Sequence, residues 1–201
     1  MSDRKRPYRK RRRAELEAET RRRITESAVE LHGTVGPSHT SISAVAERAG
    51  VRRSTVYRHF PDEVALFEAC SSHWAASNLP PDLAGWEAIA DPDERLAEAL
   101  PELYVYYRRT EPMLANLLRD EDEMPVVKER FAVFHQYMSQ ARQALLRGRG
   151  LRGRRRRNVG AAIGHALSFA TWRSLAREQD LDDAGAAALM ARLVSTANAP
   201  R

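Results

Sequence analysis

One cysteine, Cys70, stands in 201 residues, so no disulfide can close within the chain and no thiolate-based zinc cluster can assemble. Long apolar runs are missing too. Charges interrupt each of them well short of the roughly eighteen residues that cross a bilayer, and no apolar leader follows the arginine-rich start. A cytoplasmic address and no membrane partner are expected. No alternating apolar segment or hairpin turn occurs, which excludes a sheet and leaves an all-α chain. Catalytic signatures are lacking as well: there is no Gly-x-Ser-x-Gly, no His-Glu-x-x-His and no glycine-rich phosphate loop, and the six histidines contain no i, i+4 pair. Neither an enzyme nor a metal or cofactor site is expected.

What the sequence does have is positive charge, unevenly placed. Its formal net charge is +6, yet residues 1–23 hold eleven Lys/Arg against four Asp/Glu, a net +7 that leaves the remainder at −1. A short basic arm on a near-neutral body is the footprint of a polyanion partner, commonly a nucleic acid. The bland alternative is a solvated tail. Residues 1–13 are almost devoid of apolar side chains and read as disordered, so the arm is assigned to 1–19 and the first folded domain to 20–78.

From Ala14 the pattern turns helical, with Ile24, Ala28 and Leu31 at i, i+4, i+7 and an end near Gly33 and Gly36-Pro37. Thr40 and Ser41 are N-cap candidates for a second helix that aligns Ile42, Val45, Ala46 and Ala49. Gly50 suits a left-handed turn, a third helix covers about 52–59, and Pro61 opens a fourth carrying Leu66, Phe67, Cys70 and Trp74. The composition shifts after Asn78-Leu79-Pro80-Pro81, placing a boundary there and a helical bundle over 82–201. Its expected helices are 91–110, 112–120, 125–147, 154–178 and 182–197, with Val127, Phe131, Phe134, Met138, Ala141 and Leu145 as one seam.

Two short helices around a glycine turn form a helix-turn-helix whose second member enters the major groove. Here that helix sets Val56 and Phe60 on one side, and pairs Arg53 with Tyr57 and Ser54 with Arg58 on the other. Guanidinium groups fork onto guanine O6/N7 or phosphate, and hydroxyls reach phosphates or base edges. Thr40 and Ser41, at the start of the second helix, suit a phosphate held at a helix N-terminus.

Ile24-x₃-Ala28-x₂-Leu31, then Thr40-Ser41-Ile42-x₂-Val45-Ala46-x₂-Ala49-Gly50-Val51-x₃-Thr55-x-Tyr57-x-His59-Phe60-Pro61, resembles the N-terminal DNA-binding domain of the tetracycline-repressor (TetR) family. The resemblance covers about 50 residues. It implies DNA contacts at Thr40, Arg53, Ser54, Thr55, Tyr57, Arg58 and His59. Position 52, usually a capping Ser in that family, is Arg; such a cap is worth about 1 kcal/mol, and Arg52 joins the expected DNA set through a nearby phosphate. The family's backbone-gripping Lys after Phe-Pro is replaced by Asp62-Glu63. The basic arm is expected to compensate by lying in the minor groove.

For the body the resemblance is generic. It implies a homodimer through the last two long helices, where Gly160, Gly164 and Ser168, and Ala184, Ala188 and Arg192, step at four residues, and hence a palindromic operator of double-stranded DNA. The alternative is that these small residues pack within one subunit. It also implies a small-molecule inducer. Candidate liners are Tyr104, Tyr107, Met113, Phe131, Phe134, His135, Met138, Phe169 and Trp172, with His135 or His165 orienting an apolar or aromatic ligand. Each is equally at home in an ordinary core. Binding would favour a body conformation whose fourth helix carries the DNA heads out of register, lowering operator affinity as a repressor requires.

Two features stand outside this reading. Residues 147–157, RGRGLRGRRRR, hold seven arginines and fit either a nucleic-acid contact or a flexible surface loop. They support the rival function, a DNA- or RNA-condensing protein without a sensor. Cys70 sits on the apolar seam of its helix and reads as a buried structural thiol, with redox sensing as the alternative.

Overall fold

Arginine, lysine, glutamate and alanine are strong helix formers, and their spacing carries the chain into helix earlier than its composition suggests. The computed structural model describes residues 5–198, and helix α1 spans Lys5–Thr34. The arm expected to be disordered is helical from Lys5 onward; its residues 1–4 lie outside the described residues. Arg11 pairs with Glu15 at 2.9 Å, Arg13 with Glu17 at 3.0 Å, and Arg22 bridges Glu19 and Glu26 at 2.7 Å each. These i, i+3 and i, i+4 pairs give solvated helix a local reason to persist without a buried face.

The chain divides into two units. The first holds the chain up to Leu79 together with Pro112–Phe131. It contains α1, a 3₁₀ turn at Pro37–His39, α2 (Ile42–Arg48), α3 (Arg53–His59) and α4 (Glu63–Ser77). The end of α6 (Pro92–Asp120) and the start of α7 (Pro125–Leu146) join them. Helix α1 packs on α2 and α4, and α2 on α3. Ile24, Ala28, Ile42, Val45, Val56, Phe60, Leu66, Phe67, Cys70 and Val127 make one buried core.

Residues 112–131, expected in the second body, thus fold with the first. The reason is polar as well as apolar. Asn116 donates from Nδ2 to the His32 carbonyl at 2.9 Å, and Asp120, almost fully buried, accepts from the Ser38 N–H at 2.9 Å while pairing with Arg119 at 2.7 Å. The break expected at Pro112 does not occur. Proline forfeits one backbone bond, but burial of Met113, Leu114, Asn116 and Asp120 just beyond it holds the helix in one piece.

The second unit comprises Pro80–Glu111 and the chain from Ala132 onward. It includes α5 (Leu83–Ala88), a helix the periodicity does not announce. Asp82 caps it by accepting from the Ala84 N–H at 3.0 Å, and it exists to bury Trp86, whose indole N–H donates to Glu102 at 2.7 Å. Helix α10 (Asp183–Asn198) packs along α8 (Gly153–Ala166).

The single helix expected over 154–178 is broken into α8, α9 (Phe169–Arg173) and a π-helical turn at Ser174–Glu178. Two tyrosines hold the break. In an unbroken helix the carbonyls of Ala166 and Leu167 would accept from residues 170 and 171. Instead they accept the hydroxyls of Tyr104 at 2.8 Å and Tyr107 at 2.6 Å. The small residues of α8 are also spoken for: Arg142 donates to the Gly160 carbonyl at 2.7 Å, and a Cβ at Gly160 or Gly164 would meet its side chain. They serve packing within the chain, whereas Ala184, Ala188 and Arg192 of α10 are exposed.

Candidate nucleic-acid interface

Helix α2 starts where a serine can stop it fraying: the Ala44 N–H donates to Ser41 Oγ at 3.1 Å. The connection to α3 runs through Gly50, at φ 63°, a conformation that favours a residue without Cβ. At the start of α3, Arg52 adopts the extended N-cap backbone but makes no side-chain cap bond, as expected when arginine replaces serine. The helix is seated by its apolar side alone, with Val56 and Phe60 almost completely buried.

Its outer side is solvated. Arg52, Arg53, Ser54, Tyr57 and Arg58 are exposed, and Thr55 is half-buried. Arg53 lies beside Tyr57, its guanidinium carbon 5.8 Å from the ring centroid and one nitrogen 3.5 Å from the hydroxyl. About two turns of helix therefore present three guanidinium groups and two hydroxyls, a donor-rich surface matched to base edges and phosphates.

Two expected contacts behave otherwise. Thr40 is half-buried, and its hydroxyl donates to the Gly36 carbonyl at 2.7 Å, so its proton is already committed. His59 turns inward: its Nε2 is buried without a hydrogen-bond partner. Burial, reinforced by Arg58 and Arg21, holds its imidazole below the usual histidine range. The outer set is Ser41, Arg52, Arg53, Ser54, Tyr57 and Arg58, with Thr55 at its edge.

Sequence reasoning missed the residues that set this helix in place. Arg21 of α1 stacks its guanidinium 4.0 Å above the Phe60 ring and donates to the His59 carbonyl at 2.5 Å, closing the C-terminal end of α3 with a cation. Its position three residues before Ile24, on the same helical face, was the available signal. Asp62 explains the acid after Phe60-Pro61: it caps α4 by accepting from the Ala65 N–H at 2.7 Å. Glu30 of α1 pairs with Arg48 of α2. Cys70 is a packing residue, with Sγ 3.3 Å from His32 Nδ1, donating to the Phe67 carbonyl at 3.1 Å; burial pushes its thiol up to about 12, far from reactive thiolate character.

In the second unit Tyr104, Tyr107, Phe169 and Trp172 do come together, as a packed cluster. Phe169 meets Tyr107 edge-on at 5.4 Å and Trp172 at 5.5 Å. Both tyrosine hydroxyls are used on the α8–α9 break, and burial raises both above the ordinary tyrosine value. Trp172 is tied by its N–H to Asp183 at 2.9 Å. Met138 Sδ lies 3.7 Å from the Tyr107 hydroxyl, Phe134 is half-buried, and His135 and His165 are exposed, His165 within 3.3 Å of the Thr171 hydroxyl. Met113 and Phe131 belong to the first unit. A separate cleft of about 360 Å³ adjoins the π turn, walled by Arg108, Arg177 and Asp183.

Among the described residues no group of three His, Cys, Asp or Glu side chains is placed to hold a metal ion, and no helix is long and apolar enough to cross a membrane.

Residues 24–70 match the family model described as "Bacterial regulatory proteins, tetR family". Over 77 residues, 35% of this chain, the sequence is 34% identical to the HTH-type transcriptional regulator SrpR of Pseudomonas putida, covering 36% of it. It is 32% identical to a second protein of Pseudomonas putida, the HTH-type transcriptional regulator TtgW, covering 58% of that protein over a stretch of the same length. The match thus spans little more than a third and somewhat over half of these relatives. A solved TetR-like transcriptional regulator from Rhodococcus sp. RHA1 shares the fold, with a TM-score of 0.64 at 18% identity over 88% of this chain and 93% of that one. The tetR motif over residues 24–70 and the all-helical architecture around it are what this chain shares with the tetR family of bacterial regulatory proteins.

Proposed function

We propose that the chain is a sequence-specific transcriptional regulator, a repressor that binds double-stranded DNA at a palindromic operator as a homodimer and is released by a small apolar or aromatic molecule. The observation that carries this is the two-sidedness of α3: Val56 and Phe60 seat it while Arg52, Arg53, Ser54, Tyr57 and Arg58 face solvent. Arg53 and Tyr57 read base edges, Arg52 and Arg58 hold phosphates, and Ser41 with the N-terminus of α2 holds another. The amino-terminal helix takes a different part from the minor-groove arm the sequence suggests. A helix is about 10–12 Å across with its side chains, against a minor groove about 6 Å wide. In helical form its arginines serve flanking phosphates.

Dimerisation uses the outer faces of α8 and α10, where Ala161, Ala184, Ala188 and Leu193 are exposed, and sets two recognition helices about 34–36 Å apart. The inducer acts at the aromatic cluster beside the α8–α9 break, where two carbonyls depend on tyrosine hydroxyls. A ligand that takes those hydroxyls lets the backbone bond to itself, giving two discrete arrangements; a tenfold to hundredfold loss of operator affinity needs about 1–3 kcal/mol of coupling.

Genomic footprinting identifies the operator, and competition then separates this reading from a DNA- or RNA-condensing protein. A regulator retains its operator against excess random duplex, and Arg53→Ala relaxes preference at one base position. Equal affinity for operator and random duplex, unchanged by Arg53→Ala, refutes it.

A further inference from the structure

We propose that the second unit carries a binding site for a phosphate monoester with an apolar part, in the cleft between α5, the end of α7 and the loop that leads into α8. The loop contains Gly148 and Gly150 at φ 81° and 61°, and α8 opens on Gly153 at φ 55°. Three glycines at positive φ give the path into α8 a backbone that residues with side chains rarely follow. Two buried arginines then fix it from below. Arg149, with its side chain 1% exposed, donates to the carbonyls of Leu145 and Pro92 at 2.9 and 2.6 Å and pairs with Asp93 at 2.6 Å. Arg95 of α6 donates to the carbonyls of Ala144, Arg147 and Ile89 at 2.6, 3.0 and 2.6 Å. The arginine-rich stretch is a built loop, where the sequence allowed a flexible one.

With Arg149 turned inward and Arg147 paired to Glu87 at 2.6 Å, the exposed guanidinium groups left on the cleft are those of Arg152 and Arg156. They stand at i, i+4 across the start of α8, where Arg152 makes no cap bond and the first turn holds no acid. Like charges at this spacing and cations at a helix N-terminus both disfavour the free helix. A phosphate seated between them reverses both terms, and its charge of about −1.5 to −2 near neutral pH suits two guanidinium forks. The cleft measures about 1070 Å³, and Leu83, Leu146 and Leu151 on its walls offer apolar surface beside the charges. The pairing of two arginines with three leucines is what selects a phosphate carrying a hydrocarbon or aromatic portion.

The test uses the full chain and octyl phosphate, titrated by calorimetry at about 0.15 M salt, where exposed charges are screened beyond about 8 Å. Saturable binding is expected at one per chain, at least tenfold weaker in Arg152→Gln/Arg156→Gln and unchanged in Arg154→Gln/Arg157→Gln, which removes two exposed arginines of the same turn that do not line the cleft. Thermal unfolding confirms that each variant is folded. Co-sedimentation with phosphatidic acid vesicles, lost in the Arg152/Arg156 variant, assigns the source as a lipid headgroup; octyl phosphate binding without vesicle binding assigns a soluble phosphate. Equal losses in the two double variants, binding unaffected by either, or no binding of either probe while random duplex affinity falls in the Arg152/Arg156 variant would overturn the proposal, the last outcome making this a nucleic-acid surface.

Discussion

Alanine at Gly36 puts a methyl group where the first unit has no room for one. Gly36 sits at φ 95° and ψ 159°, a region essentially reserved for glycine, and holding another residue there costs about 1–3 kcal/mol. The added Cβ would collide with Arg119 Nη2 and lie 2.7 Å from Asp120 Oδ2. The Arg119 side chain is half exposed and can swing aside; the Asp120 side chain is 2% exposed and cannot. Asp120 accepts from the Ser38 N–H at 2.9 Å and from Arg119. Burial pushes its carboxyl up, yet the Arg119 and Ser38 hydrogen bonds outweigh that and hold it below the ordinary aspartate value. Displacing it leaves a buried acceptor or the Ser38 N–H unpaired, another ~1–3 kcal/mol. The expected loss for Gly36→Ala is therefore about 2–6 kcal/mol, a large part of the 5–15 kcal/mol of a typical domain. Urea denaturation followed by circular dichroism measures it, as a lower midpoint at unchanged slope. In an Asp120→Ala background the carboxylate clash is gone, so Gly36→Ala there should cost only the backbone term. A loss below about 1 kcal/mol in the wild-type background, or an equal loss in both, refutes the reasoning.

Other consequences are open to measurement. His32 is buried and its imidazole is held down to about 4 from 6.5, chiefly by burial, with Asp120 opposing. The unfolded chain thus binds the extra proton between those values, so stability rises with pH across that window and falls as pH drops from 6.5 towards 4, by roughly 3 kcal/mol; His32→Gln should flatten this part of the pH–stability curve, and an unchanged curve refutes the assignment. Tyr107→Phe removes the donor to the Leu167 carbonyl and should cost about 1–3 kcal/mol by thermal unfolding; no loss would mean the hydroxyl does not hold the α8–α9 break. Arg21→Met deletes the cation over Phe60 and the bond to the His59 carbonyl, and should weaken operator binding several-fold at unaltered base preference. A changed base preference in a footprinting assay would place Arg21 in the groove.

The sequence by itself determined the helix-turn-helix, because every signal involved is short-ranged: Ser41 caps within three residues, Gly50 turns within one, and the alternation of Val56 and Phe60 with Arg53, Tyr57 and Arg58 is a property of one helical period. Local signals also misled. Low apolar content suggested disorder over residues 5–19, although i, i+4 charge pairs support helix there, and Pro112 suggested a break that burial of the following residues overrides. Only the tertiary structure decided which side chains meet across long separations: Arg21 with His59 and Phe60, Asp120 with Ser38, Tyr104 and Tyr107 with the carbonyls of Ala166 and Leu167, Arg95 with Ala144. Apart from the Arg21 contacts, each of those is a donor meeting a buried acceptor. Chemistry makes such a partner obligatory, but its position in the sequence is free, so composition and spacing announce the need while packing alone supplies the answer.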